Sequence, residues 1–121
     1  MDNKIQIVHD VYFSDQDIDE ILYSALNPTD SWFKDIDIEG NPLGEYKTDQ
    51  VSRGGRLFIR DKLSGLRFML NKEKFANGLR RFIKVNGMKY LNDSILDIYK
   101  IHMEDADRIV QYSIFGEILY M

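Results

Sequence analysis

Residues 43–70 read L-G-E-Y-K-T-D-Q-V-S-R-G-G-R-L-F-I-R-D-K-L-S-G-L-R-F-M-L, and this stretch decides the fold. Two short apolar runs, Arg56 to Asp61 and Leu66 to Leu70, flank Lys62-Leu63-Ser64-Gly65. This composition and spacing are typical of a β-hairpin, because Ser and Gly favour turns and alternating apolar residues favour half-buried strands. The predicted buried face of the hairpin consists of Leu57, Ile59, Leu66, Phe68 and Leu70.

The polar segment before the hairpin contains a candidate anion site. Residues 45–53 show no hydrophobic period and predict an ordered loop. Gly54-Gly55 can adopt backbone angles closed to other residues, which suits either a strand bulge or the close approach of a ligand. Consecutive backbone N–H groups beside two arginines can form a concave nest for a phosphate or carboxylate. The candidate anion-binding residues are Ser52, Arg53, Gly54, Gly55 and Arg56.

Upstream of this stretch, the pattern predicts two strands and a helix. Residues 4–13 alternate loosely and predict a first strand. Ser14 is a candidate N-cap for a helix that runs to Leu26, since an apolar stripe follows at helical spacing and Asn27-Pro28 ends it. Residues 32–39 alternate as a strand. One face of that strand carries Trp32, Lys34, Ile36 and Ile38, and the other carries Phe33, Asp35, Asp37 and Glu39.

Downstream, the pattern predicts two more helices and two more strands. Asn71 is expected to cap a helix that ends at Gly87, with Phe75, Leu79, Phe82 and Ile83 as its buried stripe. Residues 95–102 alternate and predict a strand, with a helix as the alternative. A helix from Asp105 to Gly116 and a short strand at residues 117–120 complete the chain. We therefore expect one α+β domain over residues 1–121, with an antiparallel or mixed sheet of about five strands and three helices packed largely on one face.

Charge is strongly segregated along the chain. Residues 1–50 hold 3 Lys/Arg and 12 Asp/Glu (−9), residues 51–92 hold 11 and 2 (+9), and residues 93–121 hold 2 and 6 (−4). Two interpretations remain open: the segments neutralise one another in the folded protein, or the surface presents a basic and an acidic face to a charged partner.

Two groups of charged residues are candidates for partner binding. The first is a basic band in which arginine, suited to bidentate contacts, outnumbers lysine. Its members are Arg53, Arg56, Arg60, Arg67, Lys74, Arg80, Arg81 and Lys84. The second is an acidic face of three carboxylates about 7 Å apart along one strand, namely Asp35, Asp37 and Glu39. Such a row could help to bind Mg²⁺, but a solvated strand face is the more common meaning of this spacing.

Signatures of several function classes are missing from the sequence. The chain has no cysteine, which excludes disulfides, thiolate metal sites and cysteine nucleophiles. Its two histidines, His9 and His102, lie in no zinc-protease pattern. Asp15, Asp17, Asp19 and Glu20 lack the spacing of a calcium-binding loop. We therefore expect a non-enzymatic protein without cofactor or metal. We also expect no signal peptide and no membrane span, and we place the protein in the cytoplasm.

Four segments resemble a family of small acidic proteins encoded by phages and mobile elements of Firmicutes-type and related anaerobic bacteria. They are S-D-Q-D-I-D-E-I-L at residues 14–22; L-G-E-Y with Q-V-S-R-G-G-R-L within residues 43–57; E-K-F-A-N-G-L-R-R-F-I at residues 73–83; and D-A-D-R-I-V-Q-Y-S-I-F-G-E-I-L-Y at residues 105–120. The segments around Arg53 and Gln111 are the most specific. The family has no assigned catalytic residues, so the resemblance implies a genetic setting and no site.

This setting implies an inhibitor of a bacterial defence complex, in the manner of anti-CRISPR proteins. The expected partner is a defence protein or a ribonucleoprotein nuclease, because the acidic flanks would repel free nucleic acid. Two other functions stay open. One is a sponge for a phosphate-bearing signal nucleotide at Ser52–Arg56, and the other is a regulatory or structural phage component that acts as an oligomer.

Overall fold

The computed structural model describes residues 10–27 and 31–120, which form an α+β domain. In chain order the elements are α1 (Asp15–Ala25), β1 (Phe33–Ile38), α2 (Asp49–Ser52), β2 (Leu57–Asp61), β3 (Arg67–Leu70), α3 (Lys72–Asn86), β4 (Leu91–Asn92), β5 (Ile95–Leu96) and α4 (Met103–Phe115). Two 3₁₀ turns lie at Met88–Tyr90 and Ile98–Lys100. The α+β class is confirmed. Within the described part of the chain, no helix is both long and apolar enough to cross a membrane.

The strands form two sheets, so the prediction of a single sheet is wrong. An antiparallel sheet has the order β1-β2-β3, and a separate hairpin pairs β4 with β5. The hairpin does not join the larger sheet, and it follows α3 and a 3₁₀ turn in the chain. Ile95 of this hairpin also makes an isolated parallel bridge with Tyr12. Residues 4–9 of the strand predicted at 4–13 lie outside the described residues.

The three predicted helices are present, and their caps account for where two of them begin. The Ser14 hydroxyl accepts a hydrogen bond from the Asp17 amide, and the Asp17 carboxylate accepts one from the Ser14 amide, both at 3.0 Å. The Asn71 side chain accepts from the Lys74 amide at the start of α3. A fourth helix, α2, lies inside the predicted loop at residues 45–53. Its buried Val51 anchors a segment whose other residues are polar, so it shows no hydrophobic period in the sequence.

Local polar contacts also explain two strand predictions that were wrong. The predicted strand at residues 95–102 ends at Leu96, because the Asp97 carboxylate accepts from the Tyr99 amide and starts a 3₁₀ turn. Residues 117–120 form no strand. Instead, the Leu119 and Tyr120 amides donate to the Gln111 side chain.

Two residues lie on faces other than the ones predicted for them. A β-bulge between Phe33 and Asp35 moves Phe33 to the buried face of β1, so that it no longer shares a face with Asp35. Leu66, predicted inside, is 60% exposed because it belongs to the turn before β3.

Helices α3 and α4 pack closely where Gly78 of α3 meets Ser113 of α4. A Cβ atom at Gly78 would lie 2.0 Å from Ser113 Oγ and 2.6 Å from Ser113 Cα. The absence of a side chain therefore lets the helix backbones touch and brings Phe75, Leu79 and Phe82 of α3 into the core.

The C-terminal segment is tied to the sheet by a network that starts at Gln111. This side chain is fully buried, and its amide nitrogen donates to Asp107 Oδ2 at 2.8 Å and to the Tyr120 carbonyl at 2.9 Å. Asp107 also accepts from Trp32 Nε1 at 2.7 Å. The Trp32 and Tyr120 rings are stacked with an interplanar angle of 3°.

The network ends at the buried carboxylate of Asp61, the last residue of β2. The Tyr120 hydroxyl donates to Asp61 at 2.8 and 2.9 Å, and the Ser64 hydroxyl donates to it at 2.7 Å. Burial acts to raise the pKa of Asp61, but hydrogen bonds from Ser64, Tyr120 and the Leu63 amide outweigh it, so the net pKa is lowered from 3.8. The hydrogen bond to Asp61, followed by burial, raises the pKa of Tyr120.

Replacing Gly78 by alanine is expected to destabilise the protein, although alanine has the higher helix propensity. The added methyl group would contact backbone atoms of Ser113, and overpacking of this kind costs about 1–3 kcal/mol. Urea unfolding measures the change. The matched control is Asn77→Ala at the exposed neighbouring position, which should change stability by less than about 0.5 kcal/mol. Equal stability of Gly78→Ala and the native protein would show that the helices do not touch there.

Replacing Tyr120 by phenylalanine is expected to lower the urea midpoint at neutral pH, because Asp61 loses a donor. The folded-state pKa of Asp61 is depressed, so its stabilisation is complete above an unfolded pKa of about 4 and is lost as pH falls through the lowered folded pKa. The gap between native and variant midpoints should therefore shrink with acidification below about pH 4. Tyr99→Phe, at a side chain that is 92% exposed, is the control. A gap that does not depend on pH would contradict the assigned role of Asp61.

Candidate functional site

The exposed face of the three-stranded sheet collects charged residues in rows that cross the strands. Asp35 of β1 pairs with Arg60 of β2, and Arg60 pairs with Arg67 of β3. The next row runs through Asp37, Phe58 and Met69. The opposite face of β2 carries the buried Leu57, Ile59 and Asp61. Alternation along β2 therefore directs Phe58 and Arg60 away from the core.

The charged side chains of this exposed face contact one another. Arg60 Nε lies 3.6 Å from Asp35 Oδ1, and Arg60 Nη1 donates to the Gly65 carbonyl at 2.9 Å. Arg56 Nη2 lies 3.0 Å from Glu39 Oε1 beyond the ends of β2 and β1. We call the whole set the mixed-charge face, and it consists of Asp35, Asp37, Glu39, Arg56, Phe58, Arg60 and Arg67.

Two arginines of the mixed-charge face lie over the ring of Phe58. The guanidinium carbon of Arg67 lies 4.4 Å from the centre of the Phe58 ring, and that of Arg56 lies 5.9 Å from it. Both are within the range of a cation–π contact. The ring is half-buried, so it holds the two guanidinium groups beside an apolar surface and leaves hydrogen-bond donors open to a partner.

The structure thus brings together the predicted acidic face and three members of the predicted basic band. The other five members lie elsewhere. Lys74 donates to the Met69 carbonyl at 3.1 Å. Arg80, Arg81 and Lys84 are exposed on α3. Arg53 lines a separate pocket with Asp19, Glu20 and Asp49.

The predicted anion-binding loop is largely engaged in contacts within the protein. The Gly54 amide donates to the Val51 carbonyl at 3.1 Å, and the Gly55 amide donates to the Gln50 carbonyl at 2.7 Å. The Ser52 hydroxyl donates to the Asp49 carbonyl, and Ser52 is buried. A pocket of about 540 Å³ beside the two glycines is lined by Arg56 but also by Glu39, whose carboxylate is a competitor for any anion.

A second pocket of about 540 Å³ lies between α1 and α2 and was not predicted from the sequence. Its lining includes Tyr23 and Tyr46, whose ring centres are 5.4 Å apart. Arg53 and the carboxylates of Asp19, Glu20 and Asp49 complete the lining. The negative charge of Glu45, followed by that of Tyr23 and by burial, raises the pKa of Tyr46. Asp19 and Glu20, which lack calcium-loop spacing in the sequence, thus line a cavity.

A third pocket, of about 410 Å³, is lined by Lys89, Tyr90, Tyr99, Lys100 and His102. The sequence carries a signal for it in the adjacent basic and aromatic residues at 89–90 and 99–102, but the predicted strand at 95–102 concealed it. His102 is exposed at this pocket, whereas His9 lies outside the described residues. Over residues 10–27 and 31–120, no group of three or more His, Asp or Glu side chains could hold a metal ion.

Comparison with known proteins identifies no relative of this chain. No family model matches it, and no similar curated protein or solved structure was found.

The arginines of the mixed-charge face are expected to contribute little to stability. Side chains of the Arg60–Asp35 and Arg56–Glu39 pairs are 37–59% exposed, and exposed ion pairs contribute about 0–1 kcal/mol. Arg60→Ala and Arg56→Ala should therefore each change the free energy of unfolding by less than about 1 kcal/mol. Urea unfolding measures this, with Arg80→Ala on α3 as the control. A larger loss would assign these arginines a structural role.

Proposed function

We propose that this protein is a non-catalytic inhibitor of a bacterial defence complex, most concretely an anti-CRISPR-like protein that binds a nucleic-acid-guided nuclease. The observation that carries the proposal is the mixed-charge face, where a row of carboxylates on β1 lies beside arginines of β2 and β3. A surface that carries both charges in separate columns is complementary to a nuclease surface where a basic nucleic-acid channel adjoins an acidic patch.

The carboxylates would occupy the basic channel in place of nucleic-acid phosphates. Asp35 and Asp37 lie on the exposed side of β1 and Glu39 directly follows the strand, so the three present a row of negative charge. Asp35 and Glu39 pair with arginines through exposed contacts. Because such contacts are weak, both carboxylates can exchange them for basic side chains of a partner at little cost.

The arginines would bind the acidic patch of the nuclease and so fix the orientation of the inhibitor on it. Arg67 is held over Phe58, which limits the motion of its guanidinium group before binding. Arginine and aromatic residues are enriched among those that dominate interface energies. Phe58 and its flanking arginines therefore form the expected centre of the contact, with Met69 beside them in the same row.

Stoichiometric inhibition of purified nucleases tests this function. Purified RNA-guided nucleases from Firmicutes-type hosts would be incubated with the protein and assayed for cleavage of their target DNA. We expect cleavage by at least one nuclease to stop once the inhibitor reaches the nuclease concentration. Unimpaired cleavage by the whole panel at several-fold excess would reject the proposal.

Two double variants locate the contact on the inhibited nuclease. Arg60→Glu/Arg67→Glu should weaken binding by about 30-fold to 1000-fold, since interface centres contribute about 2–4 kcal/mol. Arg80→Glu/Arg81→Glu makes the same charge change on α3 and should bind as the native protein does. Binding kinetics on an immobilised nuclease measure both. Loss with the α3 variant alone would place the contact on the helix instead of the sheet.

A further inference from the structure

The pocket lined by Lys89, Tyr90, Tyr99, Lys100 and His102 shares no residue with the mixed-charge face. Its volume of about 410 Å³ is within the range of small-molecule sites. Two lysines, a histidine and two tyrosines form its lining, so every lining side chain is either aromatic or able to carry positive charge. Such a lining favours a ligand that combines negative charge with a planar ring.

Tyr90, one of the lining residues, is anchored in the core. Tyr90 is 8% exposed, its ring centre is 5.0 Å from that of Phe82, and its hydroxyl donates to Asp105 Oδ1 at 3.2 Å. Burial, followed by the nearby Asp105 charge, raises the pKa of Tyr90, so the hydroxyl remains a neutral donor. Lys89 Nζ lies 5.2 Å from the centre of the Tyr90 ring, which holds the ammonium group at the rim.

A second aromatic side chain of the lining, Tyr99, is almost entirely exposed. Tyr99 is 92% exposed, although the 3₁₀ turn that carries it is well anchored. Its amide donates to Asp97 Oδ1 at 3.2 Å, and the Lys100 amide donates to the Asp97 carbonyl at 3.0 Å. The Asp97 amide in turn donates to the Tyr90 carbonyl at 2.9 Å. The turn is thereby hydrogen-bonded to Tyr90, and the exposed ring of Tyr99 remains open for stacking.

Two carboxylates, Asp105 and Asp97, contact residues of this lining. Asp105 is buried, and besides the Tyr90 hydroxyl it accepts from the His102 amide at 3.0 Å and lies 3.7 Å from Arg108. Asp97 accepts from the Tyr99 amide and lies 4.0 Å from Lys100 Nζ. Their negative charges are therefore partly compensated within the protein.

We propose that this pocket binds a phosphate-bearing ligand with a planar base, the chemistry of a nucleotide. Lys89 and Lys100 would contact the phosphate, and the base would stack on Tyr99. The other two pockets suit an anion less well. The pocket beside Gly54 and Gly55 includes the Glu39 carboxylate, and the pocket around Tyr23 is lined by three carboxylates.

Calorimetry with AMP, adenosine and inorganic phosphate tests the ligand chemistry. AMP is the smallest of these probes that carries both groups, so we expect it to bind best. Adenosine and phosphate should each bind at least about tenfold more weakly, since base stacking and charge-assisted hydrogen bonds to phosphate each contribute at least about that factor. Failure of AMP to bind at millimolar concentration would overturn the proposal.

Variants of the lining residues test the location. Lys89→Gln/Lys100→Gln should weaken AMP binding at least about tenfold, whereas Arg80→Gln/Arg81→Gln removes the same charge from α3 and should leave binding unchanged. Tyr99→Ala should weaken AMP by about tenfold and leave phosphate unaffected, while Tyr99→Phe keeps the ring and should bind normally. The proposal would be overturned if the lysine variant bound AMP as tightly as the native protein does. It would also be overturned if both double variants lost AMP affinity equally, because either result would place the site elsewhere. Thermal melting confirms that each variant is folded.

A single-stranded RNA hexamer distinguishes the two sources of such a ligand. Affinity for the hexamer well above that for AMP, with the same dependence on Tyr99 and the two lysines, would assign the pocket to a nucleic-acid strand. Equal affinities would assign it to a free nucleotide. Both results support the proposed chemistry and leave the nuclease-inhibition assay as an independent test of function.

Discussion

The fold depends on one buried side-chain amide, that of Gln111. Its oxygen accepts from the Leu119 and Tyr120 amides, and its nitrogen donates to Asp107 and to the Tyr120 carbonyl. All four hydrogen-bonding positions of the amide are therefore used. The fixed Tyr120 then stacks on Trp32 before β1 and bonds Asp61 at the end of β2. A buried polar group is stabilising only when it is fully satisfied, and here its satisfaction joins α4 to the inner side of the sheet.

One side of the sheet is pinned to the helices, and the other side is exposed. On that side, segments of opposite charge in the sequence become neighbours, because β1 of the acidic segment pairs with β2 of the basic segment. The interpretation that the segments neutralise one another therefore holds in part, whereas a basic and an acidic face for a charged partner stays a prediction. Asp35 and Arg60 compensate each other across the strands, while Arg80 and Arg81 remain exposed on α3. Exposed ion pairs of this kind are weak enough to be replaced by those of a partner.

Much of the candidate site could be predicted from the sequence at the level of residue type, but not at the level of position. Alternation placed Asp35 and Asp37 on one exposed strand face, and the structure agrees, since that pattern depends only on the local pleat. The division of the basic band, with Arg53 at one pocket and Arg67 over Phe58, depends on packing between elements far apart in the chain. The basic and aromatic pocket around Tyr99 escaped prediction because the Asp97 carboxylate starts a turn where the alternation favours a strand.

The sequence by itself determined the α+β class, the β2–β3 hairpin and the caps at Ser14 and Asn71, because these features arise from periodicity and from hydrogen bonds between residues close in the chain. Only the tertiary structure decided that the strands divide into two sheets, that a bulge turns Phe33 inward, and that Gly78 is a point of helix contact. These features depend on what each segment packs against. The sequence around a strand, a polar helix residue or a glycine does not reveal which distant segment it packs against. Gln111 as a buried hydrogen-bonding centre and Gly78 as a helix contact are therefore decided by contacts across the fold.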